Sequence, residues 1–193
     1  MADVYAGLDC EMTGTNLDVH DVCQIGVYLN GHDPFVSDVL PSRPHIFDPK
    51  ALAVNGFTRD RLEAAPSAAF VDAQLLAWLE QRLEGAEAHP VGWGVSYFDM
   101  PFVRKALPET WRRLSRRSVE LTSVCFVLAG KKEILDTGKA GQTLGWRGWK
   151  RASKRFAEER LAEFYDQPRW HDAGYDATAA YYSFEFLKQA VHG

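Results

Sequence analysis

The sequence has few cysteines and no long apolar run. Its three cysteines, Cys10, Cys23 and Cys125, include no CxxC pair, so the pattern indicates buried thiols in a reducing compartment, not a disulfide framework or a zinc site. No uninterrupted apolar stretch reaches the roughly 18 residues that a membrane span requires. The N-terminus also lacks the basic segment and apolar core of a signal peptide. These absences together predict a cytoplasmic protein with no membrane partner.

The chain also lacks a strong overall charge, internal repeats, low-complexity tracts and segments that resemble linkers. Its net charge is -4 over 193 residues, so nothing global indicates a nucleic-acid binder, although a local basic groove would still attract a polyanion. A hydrophobic content of 46% is ordinary for a globular protein with a full core. We expect residues 1–193 to form a single domain.

The apolar runs predict an α/β domain in which strands come early and helices later. Strands are expected at 4–11, 22–29, 35–40, 91–94 and 118–121, with Asn30-Gly31 as the hairpin turn between the second and third. Helices are expected at 49–55, 58–63, 67–84, about 100–106, 109–114, from the fifth strand to about 129, 150–165 and 173–191, with a loop over 130–145. One meander and two crossovers favour a mixed sheet.

The segment "GLDCEMTGT" places Asp9 and Glu11 at the end of the first predicted strand. Residues two apart in a strand face the same side, at about 6–7 Å along the chain. Two such carboxylates repel each other and stay ionised together only if cations lie between them. Hard divalent cations such as Mg²⁺ or Mn²⁺ are the natural partners. For an isolated pair, a strand end exposed to water is the favoured explanation of the acids, because such pairs are common.

Two later segments contain further acids in apolar surroundings. "GWGVSYFDMPFV" places Asp99 among aromatic residues, where a carboxylate is costly unless it is paired or bound to a metal. "WHDAGYDATAAYY" places Asp176 at the start of the last predicted helix, with Asp172 as its N-cap. His171 lies five residues before Asp176, and taken alone it would more often be a hydrogen-bonded structural histidine.

These three segments together resemble the motifs of the DnaQ-like 3′–5′ exonucleases. Residues 9–14 resemble D-x-E-x-T-G, residues 98–102 resemble the second motif, and residues 171–177 resemble H-x-A-x-x-D-A. The histidine five residues before the last aspartate is typical of the DEDDh branch. The resemblance implies an RNase H-like mixed five-stranded sheet, an antiparallel meander plus parallel strands, flanked by helices.

The resemblance also implies two divalent cations, Mg²⁺ or Mn²⁺, held by four acids. Asp9 would bridge both ions, Glu11 and Asp176 would complete one, and Asp99 would hold the other. His171 would take the proton from the attacking water, which suits a neutral imidazole. The nucleotide contacts implied are Met12, Thr13 and Phe98.

The chain departs from the family pattern at two positions. Gly94 stands where the second motif usually has Asn, and Gln24 stands where a Glu often follows the first motif. Neither position is a metal ligand in the resemblance, so activity is still expected.

Two basic segments could contact a nucleic acid. Residues 146–155 combine cations with indoles, as single-strand binding requires, although a solvated helix with its tryptophans in the core explains the segment equally well. The contacts expected there are Trp146, Arg147, Trp149, Lys150, Arg151 and Lys154. For residues 111–118, which contain four arginines, we favour a solvated surface.

The sequence therefore predicts a metal-dependent 3′–5′ exonuclease that releases 5′-mononucleotides from single-stranded DNA or RNA. Met12 is also compatible with an oligoribonuclease-like enzyme acting on short RNAs, whereas residues 47–66 resemble proofreading-type members. A non-catalytic nucleic-acid-binding module and a small-molecule binder with one structural ion are alternatives of other classes. Association with a polymerase or with a second copy stays open.

Overall fold

The computed structural model describes residues 3–130 and 144–192. Its strands are β1 (Val4–Met12), β2 (Val22–Leu29), β3 (Phe35–Asp38), β4 (Ala88–Gly92) and β5 (Val119–Glu120). They form one sheet in the order β3-β2-β1-β4-β5. The pairs β1–β2 and β2–β3 are antiparallel, and β1–β4 and β4–β5 are parallel. The predicted mixed five-stranded sheet is therefore confirmed.

Eight helices are present among the described residues. They are α1 (Pro49–Asn55), α2 (Arg59–Ala64), α3 (Ala68–Leu83), α4 (Asp99–Ala106), α5 (Pro108–Arg113), α6 (Leu121–Leu128), α7 (Trp146–Leu161) and α8 (Ala173–His192). The prediction for α7 was wrong at both ends, since the helix spans 146–161 and not 150–165. It begins earlier because Trp149, Ala152 and Leu161 form one buried stripe along it. Most of the loop predicted over 130–145 lies outside the described residues.

Two layers of helices enclose the sheet. On one face, Val71, Leu75 and Leu79 of α3 pack with Ala6 and Leu8 of β1. Ser67 caps the start of α3 as predicted, because its side chain accepts a hydrogen bond from the N–H of Phe70. The other face is covered by α8, and α7 packs against α8. No helix within residues 3–130 and 144–192 is long and apolar enough to cross a bilayer.

Two glycines allow α8 to approach the sheet closely. A Cβ atom added at Gly7 of β1 would overlap the carbonyl oxygen of Ala177, and one added at Gly26 of β2 would overlap that of Ala173. Gly26 pairs with Asp9 across the β1–β2 ladder. The N-terminal end of α8 therefore lies directly over the strand position that carries the first acid.

Candidate active site

Four acids and a histidine meet where β1 ends. Asp9 and Glu11 project from β1, Asp99 begins α4 in one helical layer, and Asp176 lies in the first turn of α8 in the other. They share a cavity of about 530 Å³ whose lining is Asp9, Cys10, Glu11, Trp93, Phe98, Asp99, Lys154, Glu158, Trp170, His171 and Asp176. The structure thus brings together the five residues that the sequence singled out from three separate segments.

Asp99 is held at the cavity by the backbone of the first strand. Asp99 is only 3% exposed, and its Oδ1 accepts a hydrogen bond of 2.9 Å from the N–H of Cys10. Cys10 lies between Asp9 and Glu11 in the sequence. This single bond therefore fixes the third acid beside the first two.

The loop before α8 folds back so that Asp176 and His171 lie together. The N–H of His171 donates to Oδ2 of Asp176 at 2.8 Å, and Asp172 accepts from the N–H of Tyr175 at 3.1 Å, as expected of the N-cap. Nδ1 of His171 lies 4.0 Å from Oε1 of Glu11. The His171 side chain is 55% exposed, so it faces both the acids and the open mouth of the cavity.

Gln24 aligns the start of α8 with the sheet. Its Oε1 accepts a hydrogen bond of 2.8 Å from the N–H of Ala173, and its Nε2 donates to Oδ1 of Asp38 at 2.9 Å. A glutamate at this position would lack the donor for Asp38. The departure from the family pattern at residue 24 therefore has a local reason, and Gln24 acts on the site through the position of α8.

Ionising the four acids together is strongly unfavourable. Burial, followed by repulsion from Asp99, Asp176 and Glu11, raises the pKa of Asp9 well above its ordinary value. Burial first, and then the charges of Asp176 and Asp99, raise the pKa of Glu11 to about 7. Burial likewise raises the pKa of Asp99 to about 7 and that of Asp176 to about 6. Such a group of carboxylates favours the binding of cations.

The donor set fits hard divalent cations. Oδ1 of Asp176 is buried and has no hydrogen-bond partner within the described part of the chain. Glu11, His171 and Asp176 each offer a ligand atom, and these atoms lie within 4.8 Å of one another. Carboxylate oxygens are the ligands that Mg²⁺ and Mn²⁺ prefer in proteins.

Lys154 and Glu158 of α7, together with Trp93 and Trp170, form a wall of the cavity that faces the acids. The Nζ of Lys154 lies 4.3 Å from the ring centroid of Trp170 and 6.0 Å from that of Trp93. The positive charge of Lys154 lowers the pKa of both Asp9 and Asp176, against the larger effect of burial. Trp170 donates from its indole N–H to Oε1 of Glu158 at 3.2 Å.

Sequence reasoning missed Trp93, Glu158 and Trp170 as cavity residues. Two signals could have found them. Trp93 and Trp170 lie inside the two later motif segments, and Glu158 follows Lys154 by four residues on one helix, so both face the same side.

The structure places some of the nucleic-acid contacts predicted on α7 at the cavity of the acids and others away from it. Lys154 lines the cavity, and Nζ of Lys150 lies 4.8 Å from the ring centroid of Trp93. The contact predicted for Trp149 was wrong, because its indole is fully buried and packs near Phe186 in the core. Trp146 stacks on Phe126, with Arg147 over its ring, outside the cavity lining. Arg151 is exposed and also lies outside that lining.

Two of the three predicted nucleotide contacts line a cavity, and the third does not. Phe98 lines the cavity of the acids and a neighbouring cavity of about 310 Å³, which Met12 also lines. Thr13 lines neither and is fully buried. Its N–H and hydroxyl oxygen bond to the backbone of Asp21, and its C=O accepts from the N–H of Asp48. A nucleotide contact by Thr13 is therefore not supported, because its polar groups hold the turn after β1.

Gly94 has a conformation that suits glycine. Its φ is +87°, in the region that L side chains rarely adopt, and its N–H donates to Oε1 of Glu120 at 2.8 Å. A Cβ atom there would lie 3.1 Å from the hydroxyl oxygen of Tyr97. The glycine therefore maintains the tight turn between β4 and the segment that ends at Asp99.

Solved structures similar to this chain are structures of exonuclease I. A complex of E. coli exonuclease I with a dT13 oligonucleotide has 17% sequence identity and a TM-score of 0.63, covering 97% of this chain and 41% of that chain. The fold is that of exonuclease I. A zinc-bound complex of the E. coli enzyme with single-stranded DNA has 17% identity and a TM-score of 0.66, covering 98% of this chain and 41% of that chain.

A product-bound structure of exonuclease I has 18% identity and a TM-score of 0.63, covering 98% of this chain and 44% of that chain. The chain thus spans about two fifths of the exonuclease I chains that it matches. No protein-family model and no curated protein matches the sequence. The RNase H-like fold implied by the DnaQ-like motifs is confirmed by the shared architecture with exonuclease I.

Proposed function

We propose that residues 1–193 act as a metal-dependent 3′–5′ exonuclease domain, which hydrolyses single-stranded DNA or RNA from the 3′ end and releases 5′-mononucleotides. The convergence of Asp9, Glu11, Asp99 and Asp176 on one cavity beside His171 carries this proposal. The fold shared with exonuclease I, including complexes with oligonucleotides, supports it.

The four acids would hold the metal ions. Their oxygens converge from β1, α4 and α8, and burial raises the pKa of each one. When bound, two divalent cations, Mg²⁺ or Mn²⁺, would supply charge neutralisation at the phosphate and an activated water. The bond from the N–H of Cys10 would keep Asp99 in place whether or not its second oxygen is a ligand.

His171 would accept the proton from the attacking water. Among the described residues, His171 is the only histidine that lines the cavity of the acids. Its Nδ1 lies 4.0 Å from Oε1 of Glu11. A neutral imidazole can accept a proton near pH 7. The bond from its own N–H to Asp176 links the position of this base to one of the acids.

Lys154 of α7 and the aromatic residues of the cavity lining would hold the terminal nucleotide. Lys154 would contact a phosphate, since it is a cation that reaches the cavity of the acids. Trp93, Trp170 and Phe98 would contact the base or sugar, and an aromatic stack on a base contributes about 1–3 kcal/mol. The structure adds no feature in its described residues that favours a polymerase or homodimer partner.

Single-stranded DNA and RNA labelled at the 5′ end test the proposal in a time course with Mn²⁺. We expect a ladder that shortens from the 3′ end in the wild type and disappears in Asp9→Asn. Asp33→Asn, which changes an exposed acid outside the cavity, is the matched control and should behave as the wild type. A ladder that persists in Asp9→Asn, or initial cutting at internal positions, would contradict the assignment.

A further inference from the structure

A second cavity adjoins the 96–101 segment, whose residues Phe98 and Asp99 line the cavity of the acids. Its volume is about 680 Å³, and we call it the arginine pocket after Arg104 and Arg116, which line it together with Trp111. The proposed chemistry does not use it.

Both arginines are held against one indole. The guanidinium carbon of Arg104 lies 5.1 Å from the ring centroid of Trp111, and that of Arg116 lies 4.9 Å from it. A guanidinium held by a cation–π contact keeps its in-plane N–H donors available for a phosphate. Within the described part of the chain, neither arginine forms an ion pair, whereas the nearby Lys105 is paired with Asp21 at 2.8 Å.

The pocket also contains one acid, Asp18. Its single charge is outnumbered by those of Arg104 and Arg116, so the local balance remains positive. The sequence favoured a solvated surface for residues 111–118. Arg112 fits that prediction, since it is exposed and paired with Glu109 on the same helix, but Trp111 and Arg116 face the pocket.

The arginine pocket and the cavity of the acids share one short wall. Ser96 and Met100 line the pocket, whereas Phe98 and Asp99 line the cavity of the acids. Tyr97 lies on this wall and is 72% exposed, although a large aromatic side chain would normally be covered. An exposed ring at this position offers a stacking surface between the two cavities.

We propose that the arginine pocket binds the single strand upstream of its 3′ terminus, with the strand passing over Tyr97. This inference rests on the proposed function, because it assumes that the 3′ end occupies the cavity of the acids. Arg104 and Arg116 bind two phosphates, and Tyr97 stacks on a base. The pocket therefore makes the enzyme prefer substrates long enough to span both sites.

The test compares the double variant Arg104→Ala/Arg116→Ala with wild type on two substrates, a trinucleotide and an oligothymidylate of about 15 nucleotides. We expect KM for the long substrate to rise at least about 10-fold, with KM for the trinucleotide unchanged. The slope of log affinity against log salt for the long strand should decrease by about 1.4, as expected for two lost phosphate contacts on a single strand. Arg112→Ala is the matched control, and thermal unfolding confirms that each variant folds.

Equal behaviour of the double variant and Arg112→Ala on the long substrate would overturn the proposal, and so would an equal loss on both substrates. If the wild type cleaves neither substrate, the proposed function fails, but anisotropy of the labelled long strand still tests the pocket. A polyglutamate peptide whose binding the double variant loses, while it retains the long strand, would assign the pocket to an acidic protein partner and also overturn the proposal.

Discussion

The backbone N–H of Cys10 donates a hydrogen bond of 2.9 Å to Oδ1 of Asp99, across 89 residues of sequence. The bond joins the strand that carries two acids to the helix that carries a third. Asp99 therefore has two roles: it accepts this hydrogen bond, and it adds a negative charge to the cavity. Two substitutions can distinguish these roles.

Asp99→Asn keeps an acceptor oxygen for Cys10 and removes the charge, whereas Asp99→Ala removes both. We expect Asp99→Asn to unfold at a higher temperature than the wild type at pH 8 without metal, because repulsion among the acids decreases. Asp99→Ala should be less stable than Asp99→Asn by about 1–3 kcal/mol, since it leaves a buried N–H unpaired. Thermal unfolding of the three proteins measures this. An Asp99→Ala protein as stable as Asp99→Asn would contradict the structural role of the bond.

The metal-free protein should lose stability as the pH rises. An unfolded carboxyl group has a pKa of about 4, whereas the folded protein raises the pKa of Asp176 to about 6 and those of Glu11 and Asp99 to about 7. Folding therefore favours the protonated acids, so their contribution is fully present below about pH 4 and is lost as the pH rises to about 7. Tm measured in a chelator should fall over this interval.

Divalent cations should reverse that loss, since a ligand that binds only the folded state stabilises it. Adding Mg²⁺ or Mn²⁺ at pH 8 should raise the Tm of the wild type. The same addition should raise the Tm of Asp9→Asn by much less. A Tm in chelator that stays flat between pH 4 and 8 would contradict the raised pKa values of the acids. If the metal raises the Tm of both proteins equally, the acids do not form the cation site.

His171→Ala should reduce kcat by about 10²–10⁴-fold, the range for loss of a general base. KM should change little, because the acids and the aromatic wall remain in place. Single-turnover cleavage of a labelled strand in Mn²⁺ measures the chemical step. His45→Ala, at an exposed histidine outside the cavity, is the control. Full activity of His171→Ala would show that the histidine is not the general base. It would not contradict the proposed metal site.

Gly26→Ala should destabilise the fold and displace the start of α8. The added Cβ would overlap the carbonyl oxygen of Ala173, so the helix must move, at a cost of about 1–3 kcal/mol or more. Denaturant unfolding measures the loss, and activity should fall because Asp176 moves with the helix. Gly145→Ala, where a Cβ meets nothing within 4 Å, should cost under about 1 kcal/mol. Similar losses in both variants would show that this close approach is unimportant.

The local pattern of the sequence was sufficient for most elements. The bounds of β2 and α1 were predicted as observed, and the β-branched and aromatic residues of β2 are such a local signal. The structure adds that Asp48 caps α1. The α7 boundary was missed because a tryptophan buried by tertiary packing looks the same in sequence as one exposed for stacking. Trp149 was misassigned for the same reason.

The sequence by itself determined which acids and which histidine to consider, because their types and spacings are properties of short segments. The tertiary structure alone decided that they share one cavity, since Asp9, Asp99 and Asp176 come from a strand and two opposite helical layers. It also decided that Lys154 and Trp170 face those acids and that Arg104 and Arg116 share one indole. Such contacts join residues far apart along the chain, and their geometry depends on how helices pack on the sheet, which no local pattern encodes.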